Sequence, residues 1–258
     1  MKKINFLVST AACREHFELW HECFGDKYEE IRGFLDAAEG ALIAECRLDG
    51  ELAGMATLIP VSVYGEPCYY GYAVCTAQRF RGMGVCRALH EEIFRMCKTE
   101  DKGYFLHPAN MQLFGMYSGF GMENCGYSGY SEYNYTNVEN AKESYNTFVL
   151  RDATADDLAK TDSDVKWSRG LLEFAAAEKS GRDGICLVFS DGALAYGERR
   201  GDTLDISFSQ GLDGEHLAVL CHANSCRRAR LRMGDGNTPF LMGYNMSFKN
   251  IRIDFVFE

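Results

Sequence analysis

The chain has 258 residues, 47% hydrophobic and 25% charged, enough to bury a core in one large domain or two modest ones. Its formal net charge of -10 argues against nucleic acid as a partner, because a phosphate-backbone binder needs a basic surface. Eleven cysteines without CxxC or zinc-type spacing point to reduced, mostly buried thiols in a cytoplasmic protein, and to no metal.

The N-terminal "MKKINFLVSTAAC" has lysines, an apolar run and a cysteine after two alanines, as a lipoprotein signal does. However, the run Ile4 to Val8 is too short for a signal and is interrupted by Asn5, so it reads as a strand. No stretch is long and apolar enough to span a bilayer, so no membrane partner is expected. Phe17, Trp20 and Phe24 then recur at helical spacing and Gly25 stops the helix. A short helix, "KYEEIRGFLDAA", follows. "ALIAECRLDGELAGMATLIPVSV" predicts two strands joined at Asp49-Gly50, a hairpin signal, and "CYYGYAVCT" a third strand.

"RFRGMGVCRAL" comes next and opens a helix whose buried stripe is Val85, Leu89, Ile93 and Met96. "GYFLHP" is a short strand, "ANMQLFGMYSGFGM" a helix ending in glycines, and Tyr127 to Tyr135 a strand. The polar "TNVENAKESYN" reads as a linker. Beyond it the sequence predicts a helix ("WSRGLLEFAAAEKS"), strands ("GICLVFSDG", "ALAYGERRG", "TLDISFSQ"), a helix ("EHLAVLCHA") and strands ("RARLRMG", "IRIDFVFE"). This element order echoes the first half and suggests a degenerate duplication.

A strand, a glycine turn and a helix start make an anion site. The first amides of a helix lack internal partners, and the helix dipole is positive there. Gly82 and Gly84 remove the Cβ atoms that would hold an anion off the backbone, and Arg81 and Arg87 add charge. A Walker loop needs GK followed by Ser or Thr, which is missing. A dinucleotide fingerprint needs a third glycine where Arg87 stands.

"YAVCTAQRFRGMGVCRAL" resembles the acetyl-CoA motif of the GNAT superfamily of N-acetyltransferases, Arg/Gln-x-x-Gly-x-Gly/Ala at a helix start. Arg79-x-x-Gly82-x-Gly84 matches its letters. Arg81-x-x-Gly84-x-Cys86 keeps the spacing to Leu89 and is the preferred register. "LFGMYSGFGM" resembles the later motif of the same superfamily, with Tyr117 four residues before Gly121. The two-unit layout is also similar to acetyltransferases of the enhanced-intracellular-survival type, without their third domain.

The resemblance implies acetyl transfer from acetyl-CoA, as co-substrate, to a small-molecule or peptide amine. It implies that Arg81, Gly82, Met83, Gly84, Val85 and Cys86 take the pyrophosphate. Val74, Cys75 and Thr76 would pair with the pantetheine arm as an added strand does. Tyr117 would be the general acid for the departing thiolate. The base is left open between His107 and Glu45. Asp26, Glu29 and Glu30 could draw in a cationic amine, and a homo-oligomer stays open. In the second half "SQGLDGEHL" puts Asp213 and Glu215 at the matching helix start, where they would repel a pyrophosphate. The expected fold is therefore α/β with a mixed sheet: a GNAT-like acetyl-CoA-binding domain over 1–136 and a degenerate GNAT-like α/β unit over 146–258. The alternative function is a non-catalytic acyl-CoA-binding sensor.

Overall fold

The structure is a computed structural model describing residues 4–135, 148–180 and 183–254. The expected linker at 136–146 lies outside the described residues. The chain forms two compact units, and neither is a single stretch of sequence. The first is Met1–Gly126 with Val165–Leu171 and Pro239–Ile251; the second is Tyr127–Asp164, Leu172–Thr238 and Arg252–Glu258.

The first unit opens with β1 (Ile4–Ser9), α1 (Arg14–Phe24) and α2 (Tyr28–Ala37). Gly25 ends α1 in the left-handed region, at φ 84°. Strands β2 (Leu42–Leu48), β3 (Glu51–Val63) and β4 (Glu66–Thr76) continue β1 as an antiparallel meander. The β2–β3 turn has both central residues at positive φ, Asp49 at 54° and Gly50 at 92°, as a tight hairpin needs. Trp20 of α1 and Phe34 of α2 pack on Tyr72 of β4, with ring centroids 5.6 and 4.6 Å away.

Helix α3 (Val85–Glu100) carries the chain from β4 to β5 (Gly103–Leu106), which lies parallel to β4. The predicted stripe is buried at Val85, Leu89 and Ile93, but Met96 is only partly buried and Cys97 is buried in its place. α4 (Met111–Ser118) follows, its start capped by Asn110, which accepts from the amides of Gln112 and Leu113. β6 (Glu123–Asn134) then crosses into the second unit.

The second unit contains β7 (Leu150–Asp152), α5 (Ala155–Leu158), β9 (Gly184–Phe189), β10 (Leu194–Arg200), β11 (Thr203–Gln210) and α7 (Gly214–Ala223). β8 (Val165–Lys166) belongs to the first unit, where it pairs with Ser62 and Val63, and α6 (Arg169–Glu178) follows it. β7, β9, β10 and β11 pair antiparallel in that order. β12 (Arg228–Tyr244) begins parallel to β11, with α7 as the crossover between them. Ile185, Phe189, Leu204, Ile206, Leu217, Leu220 and Leu231 form this unit's core.

Where the sequence reading placed two consecutive stretches, 1–136 and 146–258, the chain returns to its first unit. Met242–Tyr244 at the end of β12 pair antiparallel with Leu106–Tyr104 and cover the open edge of β5. An unpaired edge beside a buried strand leaves backbone donors and acceptors unsatisfied, and this segment satisfies them. The expected terminal strand "IRIDFVFE" is not a strand at 251–254, and the remainder lies outside the described residues.

Gly71 is where β4 and β5 fit most closely. A Cβ there would run into the ring and hydroxyl of the fully buried Tyr104. Gly71→Ala should lower the unfolding free energy by about 1–3 kcal/mol, as overpacking of a filled core does. An unchanged urea midpoint would contradict this packing.

Candidate active site

β4 and β5 are paired only from Cys68–Gly103 to Gly71–Leu106. Past Gly71, β4 keeps β3 but loses β5. On β3, Met55 pairs with Cys75 and Thr57 with Tyr72, so Ala73 and Val74 stand opposite Ala56 alone. That is a β-bulge, and Ala73 sits in it at φ 49°. The bulge kinks β4 away from β5. It leaves the edge of residues 73–76 that faces away from β3 without a strand partner among the described residues. Val74, Cys75 and Thr76, the expected pantetheine residues, are on that edge.

The glycine turn follows directly. A short 3-10 turn, Gln78–Phe80, leads to Gly82 at φ 76° and Gly84 at φ 78°. The first hydrogen bond of α3 runs from the Ala88 amide to the Gly84 carbonyl at 3.0 Å. The amides of Gly84 to Arg87 therefore precede the helical ladder. A Cβ built on Gly82 or Gly84 meets nothing within 4 Å, so the side of the turn facing away from the chain is open at both glycines. Met83 is half-exposed, Val85 is buried and Cys86 is partly buried.

The two arginine registers separate in space. Arg79 pairs with Glu51 of β3 at 3.0 Å and lies over the Phe80 ring. Arg81 donates from Nε to the Thr76 carbonyl at 3.3 Å, next to the free β4 edge. Arg87 is tied by a 3.1 Å bond to the Gly119 carbonyl and stacks on Phe120, joining the start of α3 to the end of α4.

Tyr117, on α4, is 4% exposed. Its ring packs beside His90, with centroids 5.2 Å apart, and edge-on to Phe120. Burial pushes its hydroxyl well above the ordinary tyrosine range, and Cys86 and Cys75 are near enough to add to the rise. Among the described residues no protein group hydrogen-bonds the Tyr117 hydroxyl, and its oxygen is not sealed in the core. A buried phenol with no hydrogen bond to another protein group can hold its proton until an acceptor arrives.

Nothing in the sequence around it singles out His90. It is fully buried and donates from Nδ1 to the Cys86 carbonyl at 2.8 Å, with the Tyr104 hydroxyl 3.5 Å from Nε2. It links the helix start to the tyrosine. Its position one helical turn after Cys86 was visible; its burial was not.

The other candidates are spoken for differently. His107 gives one ring nitrogen to the Phe240 carbonyl, 2.7 Å away. Glu45 is buried between His16, at 3.0 Å, and Arg47, at 2.8 Å. Asp26 accepts from the Trp20 indole at 2.7 Å, and Glu30 accepts from the Lys27 amide at 2.8 Å. Glu29 lies in the exposed first turn of α2. A cleft lined by Phe17, Arg32, Asp36, Glu39 and Ile43 shares no residue with the glycine turn or Tyr117.

In the second unit, α7 starts differently. The Asp213 carboxylate accepts from the amides of Glu215, at 2.9 Å, and His216, at 3.1 Å. Those amide bonds, with the His216 side chain, hold the Asp213 carboxyl below its usual range. The chain's own anion fills the position a phosphate would take.

Burial lowers the His90 pKa from 6.5 to about 4. Between those values the unfolded chain binds a proton that the folded chain refuses, so stability falls as pH drops through that window. At about 1.4 kcal/mol per pH unit the loss reaches about 2 kcal/mol by pH 5. The difference in urea-unfolding free energy between pH 7 and pH 5 should shrink by about that amount in His90→Gln. Equal differences in the two proteins would count against a neutral buried imidazole.

The acetyltransferase (GNAT) family model matches residues 7–122. No curated protein matches the chain significantly. Among solved structures, a probable N-acyltransferase from Enterococcus faecalis V583 is similar over 94% of this chain and 72% of its own, at 13% identity and TM-score 0.67. A GCN5-related N-acetyltransferase from Kribbella flavida is similar over 93% and 71%, at 11% identity and TM-score 0.64. A tandem GNAT protein from the clavulanic acid biosynthesis pathway is similar over 94% and 98%, at 12% identity and TM-score 0.53. At these identities the likeness is one of fold. The solved structures and the family match agree: the chain has the GNAT fold, and residues 7–122 match the GNAT acetyltransferase family.

Proposed function

We propose that the protein is an N-acetyltransferase that moves an acetyl group from acetyl-CoA to a primary amine by direct attack in a ternary complex. The observation that carries this reading is the outer edge of β4, which has no strand partner past Gly71 and leads into the glycine turn before the first hydrogen bond of α3, with no hydrogen bond to the Tyr117 hydroxyl among the described residues. The amides of Gly82 to Cys86 would hold the diphosphate, with Arg81 beside them. The edge at Val74, Cys75 and Thr76 would pair with the pantetheine arm.

A backbone amide at the bulge would steady the thioester oxygen as charge gathers on it. The neutral amine forms the new C–N bond, the C–S bond breaks, Tyr117 gives its proton to the leaving sulfur, and the surplus proton on the nitrogen passes to solvent, from which the Tyr117 phenolate is reprotonated. A phenol whose pKa is raised by burial stays protonated at neutral pH, as an acid must. Cys75 and Cys86 need supply no thiol for this route. The acceptor is a small-molecule or peptide amine, drawn to a chain of net charge -10.

Tyr117→Phe should lower kcat about 100-fold while leaving the KM for acetyl-CoA nearly unchanged. Turnover equal to that of the parent would remove the assigned role. Binding of acetyl-CoA without release of free thiol for any amine tested would make the chain a sensor instead. Activity should also show no loss from Tyr117 ionisation up to about pH 10, the ordinary tyrosine range. An alkaline limb below that pH which vanishes in Tyr117→Phe would contradict it. Calorimetry should find one acetyl-CoA per chain, because Asp213 already caps the helix start of the second unit. Two equivalent sites would refute that reading.

A further inference from the structure

All eleven cysteines are free, and two from different elements, Cys23 of α1 and Cys75 of β4, lie on either side of the Thr76 carbonyl region. Cys23, in the last turn of α1, places its sulfur 3.7 Å from the Thr76 carbonyl. The Arg81 Nε donates to that same carbonyl at 3.3 Å. Cys75, one residue earlier on β4, is 8% exposed, and the Cys23 sulfur lies against the carbonyl of the very next residue. One partly exposed thiol, one buried thiol behind it and a guanidinium alongside make the layout of an attacking and a resolving cysteine. The acetyl-transfer chemistry uses neither sulfur.

We infer that Cys23 and Cys75 form a thiol–disulfide exchange site for small disulfides. The Cys23 thiolate attacks one sulfur of the small disulfide. A Cys23–S bond forms, the original S–S bond breaks, and one half leaves as a thiolate that takes a proton from solvent. Cys75 then gives up its proton and attacks the Cys23 sulfur, and the second half leaves as a thiol. Two protein thiols are oxidised and one disulfide is reduced to two thiols.

The surroundings divide these roles. Contact with Cys75, then Arg81, holds the Cys23 thiol below its usual pKa, against burial and the nearby Glu22 carboxylate. The same contact with Cys23, then burial, pushes Cys75 up. Burial also pushes up the thiols of Cys46, Cys68, Cys86, Cys97 and Cys125, so thiolate character gathers at Cys23 rather than along the core. The product would tether the end of α1 to β4 just before the glycine turn.

The test treats the full chain with oxidised glutathione at neutral pH and maps cysteines by peptide mass spectrometry. The expected product is a Cys23–Cys75 disulfide in the parent chain. Cys75→Ser should stop at a glutathione adduct on Cys23, and Cys23→Ser should leave Cys75 unmodified. Iodoacetamide should label Cys23 at least about tenfold faster than the exposed Cys13. The site is disproved if glutathione goes first to Cys13 or Cys86. It is equally disproved if a Cys75→Ser chain with unchanged circular dichroism carries no excess adduct on Cys23.

Discussion

Four residue pairs join β4 to β5, and then the ladder stops. Most of the first unit's character follows from that short zip. Gly71 lets the Tyr104 side chain press against β4 at the last pair. Two residues later the chain enters the left-handed region at Ala73 and the bulge turns β4 aside. A backbone edge that would ordinarily complete a sheet is left free, and the strand delivers the chain straight into the glycine turn. The first amides of α3 thus follow closely in sequence on the unpaired edge. His90 closes the construction from beneath by bonding the Cys86 carbonyl while packing on Tyr117.

The second unit repeats the parallel strand–helix–strand crossover through β11, α7 and β12, yet reaches a different end. Its helix start carries Asp213 in place of glycine, and the carboxylate takes the two amides that an external anion would need. Backbone geometry alone therefore does not make a diphosphate site. A single capping side chain decides whether the helix dipole is used inside the chain or offered to a ligand.

Much of this was legible in local sequence. Asp49-Gly50 announced a hairpin, Val85, Leu89 and Ile93 announced a buried helix face, and Gly82 and Gly84 announced a turn of positive φ at the start of α3. What escaped depends on distant partners. Ala73 carries no sign of a bulge, because the bulge comes from register against β3. His90 interrupts an apolar stripe and reads as a polar residue until Tyr104, Tyr117 and Cys86 surround it. The segment "GDGNTP" has the composition of a turn, yet it lies inside the 17-residue β12. There Gly236 comes so close to the Ser128 backbone that no side chain fits. Local turn chemistry lost to pairing.

The return of Pro239–Ile251 to the first unit has a bearing on how the molecule is made. A ribosome releases α1 to β5 early, but the strand that seals β5 emerges only after nearly all of the second unit has been synthesised. Until then the nascent sheet carries a raw edge next to its most buried strand, a template for mispairing with other chains. Completion of the first unit thus waits until β12 has been synthesised, and a chain cut short before Met242 would leave that edge unsealed.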